Sequence, residues 1–329
     1  MQGEVPRSPK HASDAIHRDA AVSDGEGRNR PVHDMQQYLI TEFIEEYEDG
    51  ALDRTDLERR ILGILGPEQA ARVLAGVPAR PRVRRSRLTM RGPIHGGAGL
   101  TTASVAVPLT DGDLQGYLVH PDDADNRPAI VAIHENRGLV EHTRDCARRL
   151  ASAGYVVLAP DLLSRRGGSD KFPDASDAIA ALGQSDPQQN TGDLVTALDW
   201  LAEQRGVDRG RLGVTGWCMG GGYTWRVATQ AGNRIRAAVP WYGPNPPEGT
   251  DRIAAPVFAI YGELDQRINA GIDAIAAQMK GHGKPFSYKL YAGAQHAFNN
   301  ETNAERYHPA QARIAWNDML EFFAQHLGE

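Results

Sequence analysis

The chain has 329 residues, 41% of them hydrophobic, and a formal net charge of −6 at pH 7. That length suffices for one large domain with an appendage and a sizeable core, and the acidic balance gives no general attraction to nucleic acid or to an anionic membrane surface. The only two cysteines, Cys146 and Cys218, lack C-x-x-C spacing, which argues against a disulfide framework or a cysteine-based metal centre.

Free thiols suit a reducing cytoplasm, so a cytoplasmic protein is expected; neither cysteine is accompanied by a metal-ligand cluster, and no metal or cofactor is expected. No run of about eighteen apolar residues occurs, so no membrane-spanning helix is expected. Ser86, Arg87, Thr89, Arg91 and Pro93 after Arg84-Arg85 leave no room for the apolar stretch of a twin-arginine export signal.

Residues 1–34 are polar and charged and read as a mobile tail that cannot offset its ordering entropy by burial. Over 35–77, Tyr38, Ile40, Phe43, Ile44 and Tyr47, then Leu57, Ile61, Leu62 and Leu65, then Ala70, Val73 and Leu74 recur at helical spacing, predicting two or three amphipathic helices. Thr55-Asp56-Leu57-Glu58 matches a capping box, and Pro67 suits the first turn of a third helix. The apolar faces need a partner, either the main domain or a second copy of the chain, the latter giving a homo-oligomer. Residues 78–99, rich in arginine, proline and glycine, read as a basic linker.

From residue 100 onward a hairpin is expected around Asp111-Gly112-Asp113. Apolar strands at Pro128 to Ile133, Tyr155 to Ala159, Leu212 to Thr215, Ile235 to Trp241, Pro256 to Tyr261 and Phe286 to Leu290 then alternate with helices. That alternation predicts an α/β domain over 100–329: a mainly parallel sheet covered by helices on both faces, in the α/β-hydrolase plan.

Gly216-Trp217-Cys218-Met219-Gly220 is the G-x-nucleophile-x-G pattern of a strand–turn–helix elbow, with cysteine where serine is usual. The following helix directs its N–H groups at the thiol, which favours the thiolate. Because ligands of open α/β sheets lie beyond the carboxyl ends of the strands, Asp265 and His296, each just past a later strand, complete the order nucleophile, acid, histidine. His296 is expected to accept the thiol proton and Asp265 to fix the imidazole. The Met219 N–H, with one from the loop after Ile133, would hold an oxyanion; removing one such donor costs about 3–4 kcal/mol.

Simpler readings exist for each residue. Cys146, within a helix, reads as a small buried hydrophobe. Asp265 alone would serve as a helix N-cap, and His296 alone as a surface histidine. The tryptophans, Trp217 among them, read as packing residues. Gly220-Gly221-Gly222 lacks the Lys-[Ser/Thr] of a phosphate loop, and no G-x-G-x-x-G is present, so nucleotide binding is not expected.

The elbow, Tyr261-Gly262-x-x-Asp265, Gly293-x-x-His296-x-Phe298 and Gly154-Tyr155-x-x-x-x-Pro160-Asp161-Leu162 together resemble the dienelactone hydrolase family, over about residues 103 to 327. The resemblance implies a Cys218, Asp265, His296 triad. It implies that Glu135 contacts the resting thiol and moves when substrate binds, and it puts the second oxyanion N–H on Asn136. It makes Tyr242 a substrate-pocket aromatic, and Trp217, next to the nucleophile, is assigned to the same pocket. The family's dienelactone-cleaving members hold the substrate carboxylate with arginines. Here no arginine follows His296 until Arg306, and the segment from Asp161 to Gln189 has only Arg165 and Arg166.

The expected activity is hydrolysis of a small-molecule carboxylic ester or lactone through an acyl-enzyme. Thioester or peptide hydrolysis on the same fold, and a non-catalytic binding module, are the alternatives.

Overall fold

The structure, a computed structural model, describes residues 21–23, 29–48, 52–78, 99–246 and 248–328. Residues 79–98 of the basic linker, and residues 1–20 and 24–28 of the N-terminal tail, lie outside that set. Within the tail, β1 (Ala21–Ser23) and β2 (Asn29–Pro31) pair antiparallel. The chain divides into two compact units, Met1–Arg85 and Ser86–Glu329.

The first unit contains α1 (Asp34–Glu48), α2 (Arg54–Leu65) and α3 (Pro67–Ala75). Helix α2 starts two residues earlier than its capping-box motif predicts. Asp53, not Thr55, is the N-cap, accepting the Asp56 N–H at 2.8 Å, because a carboxylate is also favoured by the helix dipole. Pro67 occupies the first turn of α3 as expected. An Arg60–Glu46 ion pair at 2.8 Å joins α2 to α1, and the Arg60 guanidinium lies over the Phe43 ring.

The second unit opens with β3 (Leu100–Leu109) and β4 (Gly112–Pro121), a hairpin turning at Thr110-Asp111. It continues through β5 (Arg127–Ile133), α4 (Glu141–Ser152), β6 (Val156–Pro160), α5 (Ala175–Gly183), α6 (Pro187–Ala202), β7 (Val207–Trp217) and α7 (Met219–Gln230). There follow β8 (Ala237–Trp241), β9 (Val257–Gly262), α8 (Gln266–Asn269), α9 (Ile272–Gly281), β10 (Phe286–Tyr291) and α10 (Pro309–Leu327). The eight-stranded sheet runs β10-β9-β8-β7-β5-β6-β4-β3, parallel from β10 to β6 and antiparallel at β4 and β3. This is the mainly parallel sheet with a starting hairpin that the alternation of strands and helices predicts.

Strands β6 and β8 are buried along their whole length, as helices on both faces require, which explains their unbroken apolar sequence. The edge strands β3 and β10 instead carry Thr101, Thr102 and Ser104, and Ser287 and Lys289, outward, polar groups that discourage edge-to-edge pairing. Helix α10 buries Ala312, Ala315, Trp316, Met319, Phe323 and Leu327 along one face. Trp316 stacks on Trp217 with rings 6.4 Å apart, and both meet Trp241. No described helix is long and apolar enough to cross a membrane.

Candidate active site

Strand register gathers the expected site residues at one end of the sheet. Ile133 pairs with Gly216, Trp217 with Trp241, Trp241 with Ile260, and Gly262 with Tyr291. The chain therefore leaves β5, β7, β8, β9 and β10 at the same level, and Glu135, Cys218, Tyr242, Asp265 and His296 all follow within a few residues. This is the carboxyl-end crevice at which open α/β sheets bind ligands.

Cys218 has φ 57° and ψ −118° between β7 and α7, a conformation costly for a side-chain-bearing residue. Its glycine neighbours make the turn feasible. A Cβ on Gly216 would run into the Gly220 carbonyl, and one on Gly220 into the Ile133 and His134 carbonyls. The Cys218 N–H donates to Trp241 O at 3.1 Å, tying the elbow to β8. Met219 is the first residue of α7, so its N–H has no acceptor within the helix.

The Cys218 sulfur and a ring nitrogen of His296 lie within 4.8 Å of each other. His296 Nδ1 is 2.6 Å from Asp265 Oδ2, while Asp265 Oδ1 accepts the Ile268 N–H at 3.3 Å as the N-cap of α8. Asp265 is thus both helix cap and histidine partner, one oxygen for each. Burial pushes the Asp265 carboxyl up, but the charge and hydrogen bond of His296, then Arg267 and the Ile268 N–H, outweigh it and hold it below its ordinary value. His296 is buried, and Tyr242 stands edge-on to it with ring centroids 5.1 Å apart.

Glu135 is buried after β5. Its Oε2 accepts the Asn300 amide at 2.5 Å, and no described group hydrogen-bonds its buried Oε1. Asn136 is buried beside it. His134 braces this loop from below: its Nε2 accepts the Leu162 N–H at 3.0 Å and its Nδ1 lies 2.6 Å from Glu135 O. Burial lowers the pKa of His134, so the ring is neutral and Nδ1 is the donor. Asp161 organises the opposing loop, accepting from Leu163 N, Ser169 N and Ser169 Oγ, and Ser169 Oγ in turn accepts the Leu139 N–H.

Tyr242 has φ 34°, is fully buried, and its hydroxyl has no hydrogen-bond partner among the described residues. Burial, then the neighbouring Glu135, Cys218, Cys146 and Glu301, raises its pKa well above the ordinary tyrosine value. Trp217 lies in the aromatic cluster under the elbow, against Trp241, Trp316 and the ring of His142. Cys146 is fully buried, as its packing role predicts. Arg165 is held by Asp193 on two nitrogens at 2.9 Å and by Asp111 at 2.5 Å, so its charge is already matched within the fold.

Asn300, His134 and the His142–Glu301 pair at 2.8 Å were not singled out by sequence reasoning. Asn300 sits four residues after His296, where family resemblance directs attention to a missing arginine rather than to the amide in its place. The chemistry available at the site is nucleophilic attack by a thiol with an adjacent oriented base, next to main-chain donors at a helix N-terminus.

The description "Dienelactone hydrolase family" matches residues 114–327. A Salmonella typhimurium protein named "Putative carboxymethylenebutenolidase" is 33% identical over 251 residues, covering 72% of this chain and 92% of that protein. The solved structure of a "Putative Dienelactone Hydrolase" from Klebsiella pneumoniae superposes with a TM-score of 0.63 at 30% identity, covering 69% of this chain and 99% of that one. Dienelactone hydrolase from Anabaena variabilis, 21% identical with a TM-score of 0.56 over 70% of this chain and 99% of that one, shares the fold.

Proposed function

Since the chain belongs to the dienelactone hydrolase family and is a hydrolase of ester or lactone bonds, we propose that it works through an acyl-enzyme on Cys218, with His296 as base and acid and Asp265 as its orienting partner. With Nδ1 engaged by Asp265, Nε2 is the nitrogen that takes the thiol proton. The sulfur then attacks the carbonyl carbon, and the Met219 and Asn136 N–H groups hold the oxygen as it gains charge. Collapse breaks the carbon–oxygen bond, and His296 returns its proton to the departing alkoxide. Water attacks the thioester with His296 again as base, releasing the acid and restoring the thiol.

Glu135, by its position near the nucleophile and its unpartnered oxygen, is read as the group that contacts the resting thiol and moves when substrate enters. Tyr242 and Trp217 are read as the wall and floor of the substrate pocket. Arg165 is internally paired, so the substrate we favour is a neutral ester or lactone rather than one selected by an arginine–carboxylate fork.

The observation that carries the reading is the Asp265–His296 hydrogen bond with its histidine within 4.8 Å of a cysteine at a glycine-framed elbow. The test is a panel of activated esters, lactones, thioesters and peptides, assayed with the wild type and with Cys218→Ala, and trapping of the acyl adduct by mass spectrometry. Expected are ester or lactone turnover, an adduct mapped to Cys218, and loss of nearly all turnover in the folded alanine variant. Undiminished hydrolysis by that variant sinks the mechanism. Preferential turnover of thioesters or peptides would reassign the substrate, and no turnover of any substrate would favour a binding role.

A further inference from the structure

A second titratable cluster lies beside the nucleophile and has no part in the mechanism above. On α4, His142 and Cys146 stand one helical turn apart, with His142 Nε2 3.9 Å from Cys146 Sγ. Three consecutive residues of the segment after His296 reach across to α4 and to the β5 loop. Asn299 Nδ2 is 3.9 Å from Cys146 Sγ, Asn300 Nδ2 donates to Glu135 Oε2 at 2.5 Å, and Glu301 Oε2 is 2.8 Å from His142 Nδ1. The amide of Asn300 is oriented by its other end, since its Oδ1 accepts from Thr302 N at 3.0 Å and Thr302 Oγ1 at 2.7 Å.

The same segment contains Ala297 at φ 59°, a left-handed conformation unfavourable for a residue with a Cβ. Such a conformation persists only where its surroundings over-determine it. Two anchors do so here: His296 on Asp265 at one end, and residues 299–301 on α4 and Glu135 at the other. A buried ion pair is weak evidence for stability, because its desolvation cost offsets much of its attraction. Its position, five residues from His296 and next to the residue that holds Glu135, gives it a different use.

We propose that His142 is a positioning residue for hydrolysis: its ion pair with Glu301 latches the 297–301 segment, and thereby keeps His296 aligned on Cys218 and Asn300 on Glu135. This rests on the reading of Cys218 as nucleophile. The groups facing His142 are Cys146 on its own helix, Glu301 and Tyr307 on the segment after His296, and Glu135 on the β5 loop, with Arg149 acting on Glu301 and Tyr307, and Tyr242 facing both glutamates. Burial opposes a charge on His142, but Cys146, Glu301 and Glu135 together raise its pKa well above the ordinary histidine value. The latch is therefore charged at neutral pH and is released as pH rises through that raised value. Replacing Glu301 by a neutral amide leaves burial to act on His142 with less opposition, so the release moves to lower pH.

The experiment is the pH dependence of kcat and KM on an activated ester for the wild type, Glu301→Gln, Glu301→Asp, His142→Gln and the His142→Gln, Glu301→Gln double variant, each verified as folded by circular dichroism, with Cys218→Ala as control. Expected for Glu301→Gln is a fall in kcat of about tenfold or more with KM within about threefold, and an alkaline limb of kcat moved to lower pH. Glu301→Asp, which keeps the charge, restores the position of that limb. The His142→Gln, Glu301→Gln double variant loses no more than either single one, as expected of two groups acting as a unit. An alkaline limb in the same place in Glu301→Gln and the wild type, or single effects that multiply in the double variant, overturns the latch while leaving Cys218 as nucleophile. Full activity in Cys218→Ala overturns both readings. Should His142→Gln not fold, the two Glu301 variants alone decide.

Discussion

Asp265 divides its two carboxylate oxygens between His296 and the N-terminus of α8, at 2.6 Å and 3.3 Å. The two duties respond differently to substitution. Asparagine is as good a helix N-cap as aspartate, but its amide cannot offer the negative charge that stabilises an imidazolium. Asp265→Asn is expected to keep its melting temperature within a few degrees while kcat on a small ester falls about 10⁴-fold, the scale seen when this orienting acid becomes an amide. Asp265→Ala should add a stability loss of about 1 kcal/mol from the missing cap. Thermal melts alongside steady-state kinetics separate the two effects.

The glycines of the elbow were legible in the sequence because their job is steric. At Gly220 a Cβ would meet the main-chain carbonyls of Ile133 and His134, which cannot rotate away as a side chain can. Gly220→Ala should therefore cost about 3 kcal/mol, the upper end for forced overpacking, read as a lower urea midpoint. Gly192, exposed within α6 with nothing within 4 Å of its Cβ position, is the contrasting case. There alanine should stabilise by about 1 kcal/mol, the helix-propensity difference.

The rest of the site divides along similar physical lines. Asp265 and His296 could be found from the chain alone because parallel strands deliver their following loops to one end of the sheet, so order along the sequence becomes neighbourhood in space. Asn300–Glu135 and Glu301–His142 could not. Their partners lie 165 and 159 residues apart, and which side chains meet depends on the path of a segment bent at Ala297, and residues 294–308 contain no glycine or proline to announce the bend. Cys146 shows the limit of a correct simple reading. It is a buried helical cysteine as expected, yet its neighbours His142 and Asn299 tie it to the segment that carries His296. In the helical unit, two acceptable caps compete within three residues, and pattern alone favoured Thr55 over the Asp53 that the fold uses.

The His142–Glu301 pair also makes stability depend on pH in both directions. Burial opposes the ionised form of Glu301, but the His142 hydrogen bond and charge win, so its folded pKa is lowered; that of His142 is raised. A lowered acid stabilises the fold above its unfolded pKa and loses that contribution as pH falls through the folded value. A raised base stabilises below its unfolded pKa and loses its contribution as pH rises through the folded value. The pair therefore contributes fully only between the two unfolded values, roughly pH 4.5 to 6.5, and declines on both sides. Relative to Glu301→Gln, the wild type should be more stable by about 3 kcal/mol near pH 6, as expected when one partner of a buried pair is removed. Urea titrations of the two proteins should converge below the Glu301 transition and above that of His142.

Tyr242 offers a test in which stability and activity move apart. Its hydroxyl is buried without a hydrogen-bond partner among the described residues, its backbone is at φ 34°, and Glu135 and Cys218 both face it. An unsatisfied buried hydroxyl costs about 1–3 kcal/mol, so Tyr242→Phe, which removes the hydroxyl and keeps the ring against His296, should leave stability unchanged or raise it by up to about 1 kcal/mol. If the hydroxyl is kept for substrate, turnover of an ester should fall about tenfold in the same variant, because one hydrogen bond is worth about that much. Melting curves and kcat/KM on one preparation decide the matter. A variant both less stable and equally active would mean that the hydroxyl packs rather than binds.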